Sequence, residues 1–421
     1  MVIVGAGAAG LMTALACRRQ GLETQLVDGR EKFGAKILMS GGTRCNVTNV
    51  KVTEQDFNGQ NLRAVRNVLS AFPSDRAAAY FRSIGVELVQ EEGGKYFPAT
   101  HSARTVLDAL VREATDKGVV IRAGCKVTAL DFSEGCWKVS GENFSFCAKA
   151  VVLCTGGLSY PASGSDGTGY RIAESLGHHL VPTSPALTPL LTDDKIWCNL
   201  SGVAVPVRLR LSSRGRVAAE YEGDFLFTHF GFSGPAALNV SRDWVRAESG
   251  ERELAVNFLP RLPQEKFREQ CVRESERHPS RVLRNLLCDF FPERLAEAIL
   301  KKCRLSQKLV LNQWTREARE LLIREIYHQV LPVSGVYGYD KAEVTAGGVS
   351  WQDVDPKTLE SRISSGLFFA GEILDVDGRI GGFNFQWAWS SGVAAAEGVA
   401  RKLGKKPVKF GPRDENSSLD N

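Results

Sequence analysis

A chain of 421 residues, 43% hydrophobic and 24% charged, has the make-up of a globular protein and the length of about two or three domains. A net charge of +5 is too small to single out a polyanion partner, and no run approaches the roughly 20 apolar residues of a membrane span. Ten cysteines without a C-x-x-C or a paired Cys/His spacing exclude a dithiol reductase and a metal site, and fit free thiols in a reducing compartment.

The chain opens on a strand, a glycine turn, a helix and a second strand. Val2 to Val4 is a short β-branched run, and Gly5, Gly7 and Gly10 supply the G-x-G-x-x-G of a dinucleotide site, with Ala8 and Ala9 inside it. The glycines allow a tight turn and close backbone approach to a pyrophosphate. Ala8 to Gln20 continues as a helix closed by Gly21, and Glu23 to Asp28 is a strand that ends on an acid able to take a ribose hydroxyl, followed by Gly29. The same residues make a poor secretory signal, because Arg18 and Arg19 follow the apolar part instead of preceding it. The expected location is therefore cytoplasmic.

After Asp28 a long glycine-bearing loop carries Lys36, Ser40, Gly41, Gly42, Thr43, Arg44, Cys45 and Asn46, donors suited to phosphates and to the polar edge of a flavin. Cys45 is a candidate redox group against the alternative of a small buried hydrophobe. Helices are expected over 61–85 and after Ser102, and three strands at Val119 to Val127, Trp137 to Ser140 and Phe144 to Cys147. Ala150 to Cys154 is a fully apolar strand that ends in Thr155, Gly156 and Gly157, where a ligand can approach the backbone. The GSDGTG run at Gly164 to Gly169 lacks a preceding strand, so no separate nicotinamide domain is expected.

From about Ala186 alternating strands (Val207, Leu209, Leu211, then Val217 to Thr228) predict a small antiparallel barrel or sheet that leads into FTHFGFSGPAAL. His229 stands in that run as the candidate acid–base group, with a structural histidine at a turn as the alternative. Arg261 to Val330 reads as a helical insert with fifteen Lys and Arg against ten Asp and Glu. A solvated helical face explains those charges more simply than a polyanion-binding one. Strands return at Glu343 to Val349 and Gly366 to Ala370, followed by Gly371, Glu372, a Gly381–Gly382 turn, Phe383 and a helix from Asn384 to Lys402. The N-terminus of that helix suits the anionic pole of a reduced flavin. Residues 403–421 read as a disordered tail.

Six motifs in this order, VIVGAGAAGL, KILMSGGTRCNVTN, CTGGLSYPASGSDGTGY, FTHFGFSGPAAL, EVTAGGV and AGEILDVDGRIGGFNFQWAWSSG, resemble the BaiN-type, aminoacetone-oxidase-like NAD(P)/FAD-dependent oxidoreductases from Val2 to about Lys402. The resemblance implies an α/β, Rossmann-like two-dinucleotide FAD domain of glutathione-reductase type, built from 1–185 and 350–402. A β-barrel domain (186–260 and 331–349) interrupts it, and a helical domain (261–330) interrupts the barrel. It implies that Gly5, Gly7, Gly10 and Asp28 hold the ADP half of FAD, that the Val127 backbone meets the adenine, and that Lys36, Ser40, Gly42, Arg44, Cys45 and Asn46 line the pyrophosphate and flavin. Thr155 and Gly156 would pass beneath the cofactor, and Gly371, Glu372, Gly382, Phe383 and Asn384 would close over it. Asp28 stands where the family has Glu, Thr43 where it has Gly, and Phe383 where it has Tyr.

The main functional expectation is an FAD-dependent oxidoreductase of a small molecule, with NAD(P)H or an organic donor and hydride transfer through flavin N5. The second is a flavin-bound RNA-binding or RNA-modifying protein that uses the basic insert; with no aromatic RNA-reading motif, it ranks behind the first.

Overall fold

The computed structural model describes residues 1–248 and 250–412. The chain forms two compact units, Met1–Pro185 with Glu343–Asn421, and Ala186–Ala342.

In the first unit five parallel strands run in the order Leu367–Phe369, Val151–Leu153, Val2–Val4, Gln25–Val27, Val120–Arg122. The three strands nearest the first edge are buried at every residue, which is why they read as unbroken apolar runs: a parallel sheet is covered on both faces. The helix Ala8–Arg19 follows the first strand. Its end is a Schellman turn, with Leu22 N–H on Cys17 O, Gly21 N–H on Arg18 O, and Gly21 at φ +67. The C-terminal helix Phe383–Lys402 lies against it. A Cβ on Gly392 would come within 2.9 Å of Ala9 O, so the small residues of this helix set its close approach.

One expected strand divides in two. Val120–Arg122 joins the parallel sheet, while Val127–Ser133 begins the three-stranded meander with Cys136–Gly141 and Phe144–Ala148. Gly124, at φ +68, turns the chain between them. The expected tail also requires correction over 403–412. The Gln20 side chain bonds both Val408 N–H and Val408 O at 2.7 Å, and Phe410 is buried against Phe72 and Tyr80. Residues 413–421 of that tail lie outside the described residues.

In the second unit seven strands hydrogen-bond in antiparallel fashion in the order Gln329–Val330, Arg252–Asn257, Ala204–Ser213, Arg216–Thr228, Gly231–Ser233, Leu190–Leu191, Gly335–Val336. The two end strands are consecutive in the chain. Leu331 N–H still bonds Leu254 O, and Ser334 N–H already bonds Leu191 O. One stretch, 329–336, therefore pairs with Arg252–Asn257 through its first half and with Leu190–Leu191 through its second, curling the sheet so that both of its ends meet the same run of chain in a small barrel.

The helices Gln264–Arg277, Leu283–Leu287, Glu293–Lys302 and Arg316–Tyr327 do not form a core of their own. Phe267, Leu295, Ile299 and Ile326 belong to one continuous hydrophobic cluster with Trp197, Phe227, Val256 and Phe258 of the barrel. Separate domains for barrel and insert are thus corrected to one. The boundary at 349 also moves: Val344–Val349 pairs with Leu180–Ala186 and belongs to the first unit from Glu343 on, because its all-buried face packs there.

Candidate functional site

The glycine turn divides two jobs among its three glycines. A Cβ on Gly5 would lie 2.5 Å from Cys154 O, and one on Gly10 would lie 1.8 Å from Gly5 O; these two let the turn, the helix and the neighbouring strand close on one another. Gly7 is different. A Cβ there meets nothing within 4 Å, so its absence keeps open the space in front of the helix N-terminus, where backbone N–H groups and the dipole attract an anion. Asp28 accepts from Ala6 N–H at 2.7 Å and from Arg30 N–H at 2.9 Å, pinning the turn to the end of the second strand. Cys125 N–H bonds Asp28 O, and Lys126 crowds Gly29, which brings the start of the meander at Val127 beside this acid.

The segment expected as a loop is partly helix. Ala35–Thr43 is helical up to Met39, then breaks at Ser40 (ψ 151), Gly41 (φ 55) and Gly42 (φ 65). Gly34 starts it at φ 76, where a Cβ would strike Leu107 Cδ1 at 2.5 Å, and buried Ile37 anchors it. Beyond the break, Thr43 and Cys45 also sit at positive φ, 68 and 60. Gly41, Gly42 and Thr43 are exposed, and a Cβ on Gly42 meets nothing within 4 Å.

Lys36 is the hinge of a polar network. Its Nζ lies 2.6 Å from Glu372 Oε2 and 2.7 Å from Ser159 Oγ; Ser159 Oγ donates in turn to Glu372 Oε1 at 2.7 Å. Thr345 N–H donates to the same Oε1 at 3.0 Å, and Thr345 Oγ1 accepts from Leu158 and Ser159 N–H at 2.8 and 3.0 Å. The ion pair is mostly shielded and every partner is hydrogen-bonded, the condition under which such a pair holds a geometry instead of costing stability. The turn Thr155–Gly157 wraps it. A Cβ on Gly157 would lie 2.9 Å from Glu372 Oε1, and one on Gly156 would lie 2.6 Å from Ser165 Oγ. The GSDGTG run thus closes against this turn. Gly371, at φ +81, faces Ala9 and gives its N–H to Ser391 Oγ.

The Gly381–Gly382 turn, at φ +132 and +90, delivers the chain to the C-terminal helix. A Cβ on Gly382 would lie 2.7 Å from both Asn46 Oδ1 and Thr48 O, so the first loop and the last helix meet here. Asn46 Oδ1 and Thr155 Oγ1 are buried and have no hydrogen-bond partner. Two orphaned acceptors and the open space at Gly7 and Gly42 are what a polar cofactor would fill, and the donor set fits FAD.

Several expected side chains are committed elsewhere. The Arg44 guanidinium bonds Glu91 at 2.8 Å and lies 4.1 Å over the Phe97 ring. Asn384 clasps Gly378 through both N–H and O. Phe383 is fully buried against Phe57, leaving only its backbone N–H for a ligand. Cys45 as a redox group is corrected: it is fully buried, and burial, opposed by a Ser40 hydrogen bond, pushes its thiol up to about 12, so it stays protonated and packs. His229 belongs to the other unit. With Phe230 it forms the two-residue tip between Thr228 and Gly231, exposed, its ring edge-on to Phe230 at 4.9 Å; the buried Thr228 Oγ1 beside it has no partner. Ser159 and Thr345 were not anticipated, although Ser159 follows the Thr155–Gly157 turn in GGLSYP.

A parallel sheet with this glycine turn, an inserted meander and a cofactor cradle assembled from both ends of the chain defines an FAD-dependent oxidoreductase of the two-dinucleotide fold. The chain belongs to the family described as HI0933-like protein Rossmann domain, which it matches over residues 1–398. It is 32% identical over 404 residues to a 3-dehydro-bile acid delta(4,6)-reductase of Clostridium scindens, covering 95% of this chain and 98% of that protein. It is also 34% identical over 399 residues to a ribosomal RNA dihydrouridine synthase of Escherichia coli (94% and 96% covered), and 32% identical over 407 residues to one of Haemophilus influenzae (95% and 98% covered). FAD is the cofactor of this enzyme class. Among the described residues no helix is long and apolar enough to cross a membrane, and no cluster of His, Cys, Asp and Glu could hold a metal ion.

Proposed function

We propose that this enzyme reduces a carbon–carbon double bond conjugated to a carbonyl group, with NAD(P)H as the source of electrons. Bound FAD supplies hydride transfer through its N5. The observation that carries the cofactor half of this reading is the open cradle at Gly7 and Gly42, with Asn46 Oδ1 and Thr155 Oγ1 unpartnered beside it. In it Gly5, Gly7, Gly10 and Asp28 hold the ADP half, Val127 offers its backbone to the adenine, and Lys36, Ser40, Thr155–Gly157 and Glu372 orient the remainder. Gly382, Phe383 and Asn384, at the N-terminus of the last helix, would offer their N–H groups to the anionic edge of the ring. The substrate half is supported by the names of the relatives. A delta(4,6)-reductase of a 3-dehydro compound and a dihydrouridine synthase both denote hydrogen added to C=C beside C=O. His229, exposed on its hairpin tip in the second unit, is the candidate acid–base group by residue type, an imidazole able to exchange a proton near neutral pH.

The test is anaerobic mixing of the FAD-loaded protein with NADH and NADPH, followed by reoxidation with a 3-oxo-4-ene steroid. Bleaching by a nicotinamide and recolouring by the conjugated ketone is the expected result; recolouring by oxygen alone rejects the reading. A uracil ring in RNA is the second reading, favoured by the two dihydrouridine synthases and by Lys266, Arg273 and Arg277, exposed on one face of the helix Gln264–Arg277. It ranks second because neighbouring arginines are spent inside the unit, Arg268 on Glu265 and Glu320, Arg281 on Glu274 and Asp289, Arg284 on Glu293 and Glu297. Recolouring by unmodified ribosomal RNA and not by the steroid would reverse the order.

A further inference from the structure

Reduction of a conjugated double bond needs a proton for the carbon next to the carbonyl as well as a hydride for the carbon beyond it. Tyr160 ends the turn that follows the strand Val151–Leu153 and adopts φ 50, ψ 66. That left-handed conformation is disfavoured for any bulky residue, and disfavoured again by Pro161, whose ring pushes the residue before it toward extended backbone.

The surroundings hold it there. Ser159, immediately before it, is tied through its side chain to Lys36 and Glu372 and through its N–H to Thr345; immediately after, Tyr160 O accepts from Ser163 N–H at 2.8 Å. A conformation imposed by neighbours against two local preferences marks a site where a side chain's direction matters. The ring is half-buried, and its hydroxyl has no hydrogen-bond partner among the described residues. Burial, and then the carboxylate of Glu343, raise the phenol's pKa, so it carries its proton at neutral pH. Glu343, Lys36 and Glu372 are the charged groups gathered around this turn.

We propose that the Tyr160 hydroxyl is the proton donor to the substrate carbon adjacent to the carbonyl. The inference rests on the reaction class proposed above. Hydride from the reduced cofactor forms a C–H bond at the far carbon, the π pair moves to give an enolate, and the near carbon takes the phenolic proton as the C=O bond re-forms. Water then returns a proton to the phenolate, and the two electrons lost by NAD(P)H end on the substrate.

Tyr160→Phe keeps the ring and removes only the donor. In the FAD-loaded full chain, bleaching by NAD(P)H stays at the parental rate while reoxidation by a 3-oxo-4-ene steroid slows about 100-fold or more. Independently of turnover, the tyrosinate absorbance difference between parent and Tyr160→Phe contains one ionisation above the ordinary tyrosine range, and Glu343→Gln moves it down. Parental reoxidation by Tyr160→Phe overturns the assignment alone. So does a difference titration at or below the ordinary range. A parent that no conjugated carbonyl reoxidises overturns the reaction class, and this assignment with it.

Discussion

Adding one methyl group at Gly7 or at Gly10 should separate the cofactor site from the fold. At Gly7 the backbone is extended, φ −81 and ψ −167, a conformation open to alanine, and the new Cβ meets no protein atom within 4 Å. Gly7→Ala should therefore cost the protein alone no more than about 1 kcal/mol, the loss expected of a helix N-cap. The same methyl fills the approach to the helix N-terminus. Overpacking a close contact costs about 1–3 kcal/mol, which corresponds to a roughly 5- to 150-fold rise in the Kd for FAD. Gly10→Ala has the opposite profile: its Cβ falls 1.8 Å from Gly5 O, a backbone atom, so the turn must open and the protein itself loses about 1–3 kcal/mol or more. Urea unfolding without FAD, paired with quenching of flavin fluorescence on titration, reads both quantities. Parental FAD affinity in Gly7→Ala would refute the assignment of that open space to the pyrophosphate.

Three further outcomes follow from the geometry. Thr43, β-branched at φ 68, carries about 1–2 kcal/mol of left-handed strain, offset by the roughly 0.5–1 kcal/mol that glycine's freedom costs, so Thr43→Gly should be neutral to slightly stabilising in urea, and a clear loss would contradict the strain. Burial raises the thiols of Cys45, Cys154, Cys271 and Cys303 from 9.0 to about 12. Between those values the folded chain keeps protons that the unfolded chain releases, so stability is full below pH 9 and falls as pH rises, by about 1.4 kcal/mol per pH unit for each thiol; Cys45→Ala should flatten the dependence, and an unchanged slope in urea midpoints would count against it. Phe410→Ala should cost about 3 kcal/mol by emptying the niche against Phe72 and Tyr80, and a chain cut before Lys405 should lose a similar amount on thermal unfolding.

What could be read from sequence was whatever a local rule enforces. The glycine turn, the apolar runs at Val2–Val4 and Val151–Leu153, and the Gly381–Gly382 entry to the last helix carry their geometry in neighbouring residues. What was missed depends on distant partners. Ser159, Thr345 and Glu372 share one network although 186 and 213 residues separate the first from the other two. The Val344–Val349 strand looks the same in sequence whichever unit it pairs with. Phe410 is a lone aromatic in a polar stretch, and only the niche that receives it orders that segment. Residues 35–39 favour a helix, but the Gly41–Gly42 pair conceals its short length. Arg44, Asn384 and Phe383 show the converse: their types fitted a ligand, and nearer partners took their side chains.

The pairing of Leu180–Ala186 with Val344–Val349 means that the chain leaves the first unit and returns to it at neighbouring strands, with the whole barrel enclosed between. During synthesis from the N-terminus, the nucleotide turn at Gly5–Gly10 and the strand Val151–Leu153 emerge early. The edge strand Leu367–Phe369, the carboxylate of Glu372 and the helix that meets Asn46 come only after the enclosed unit is complete. Lys36 must wait for its counter-ion until residue 372 has been made. The barrel, with all its strands in one continuous stretch of chain, has no such dependence and is able to fold first. Cofactor capture thus waits on Glu372 and the helix that follows it, and a polypeptide that stops short of residue 372 cannot assemble the cradle.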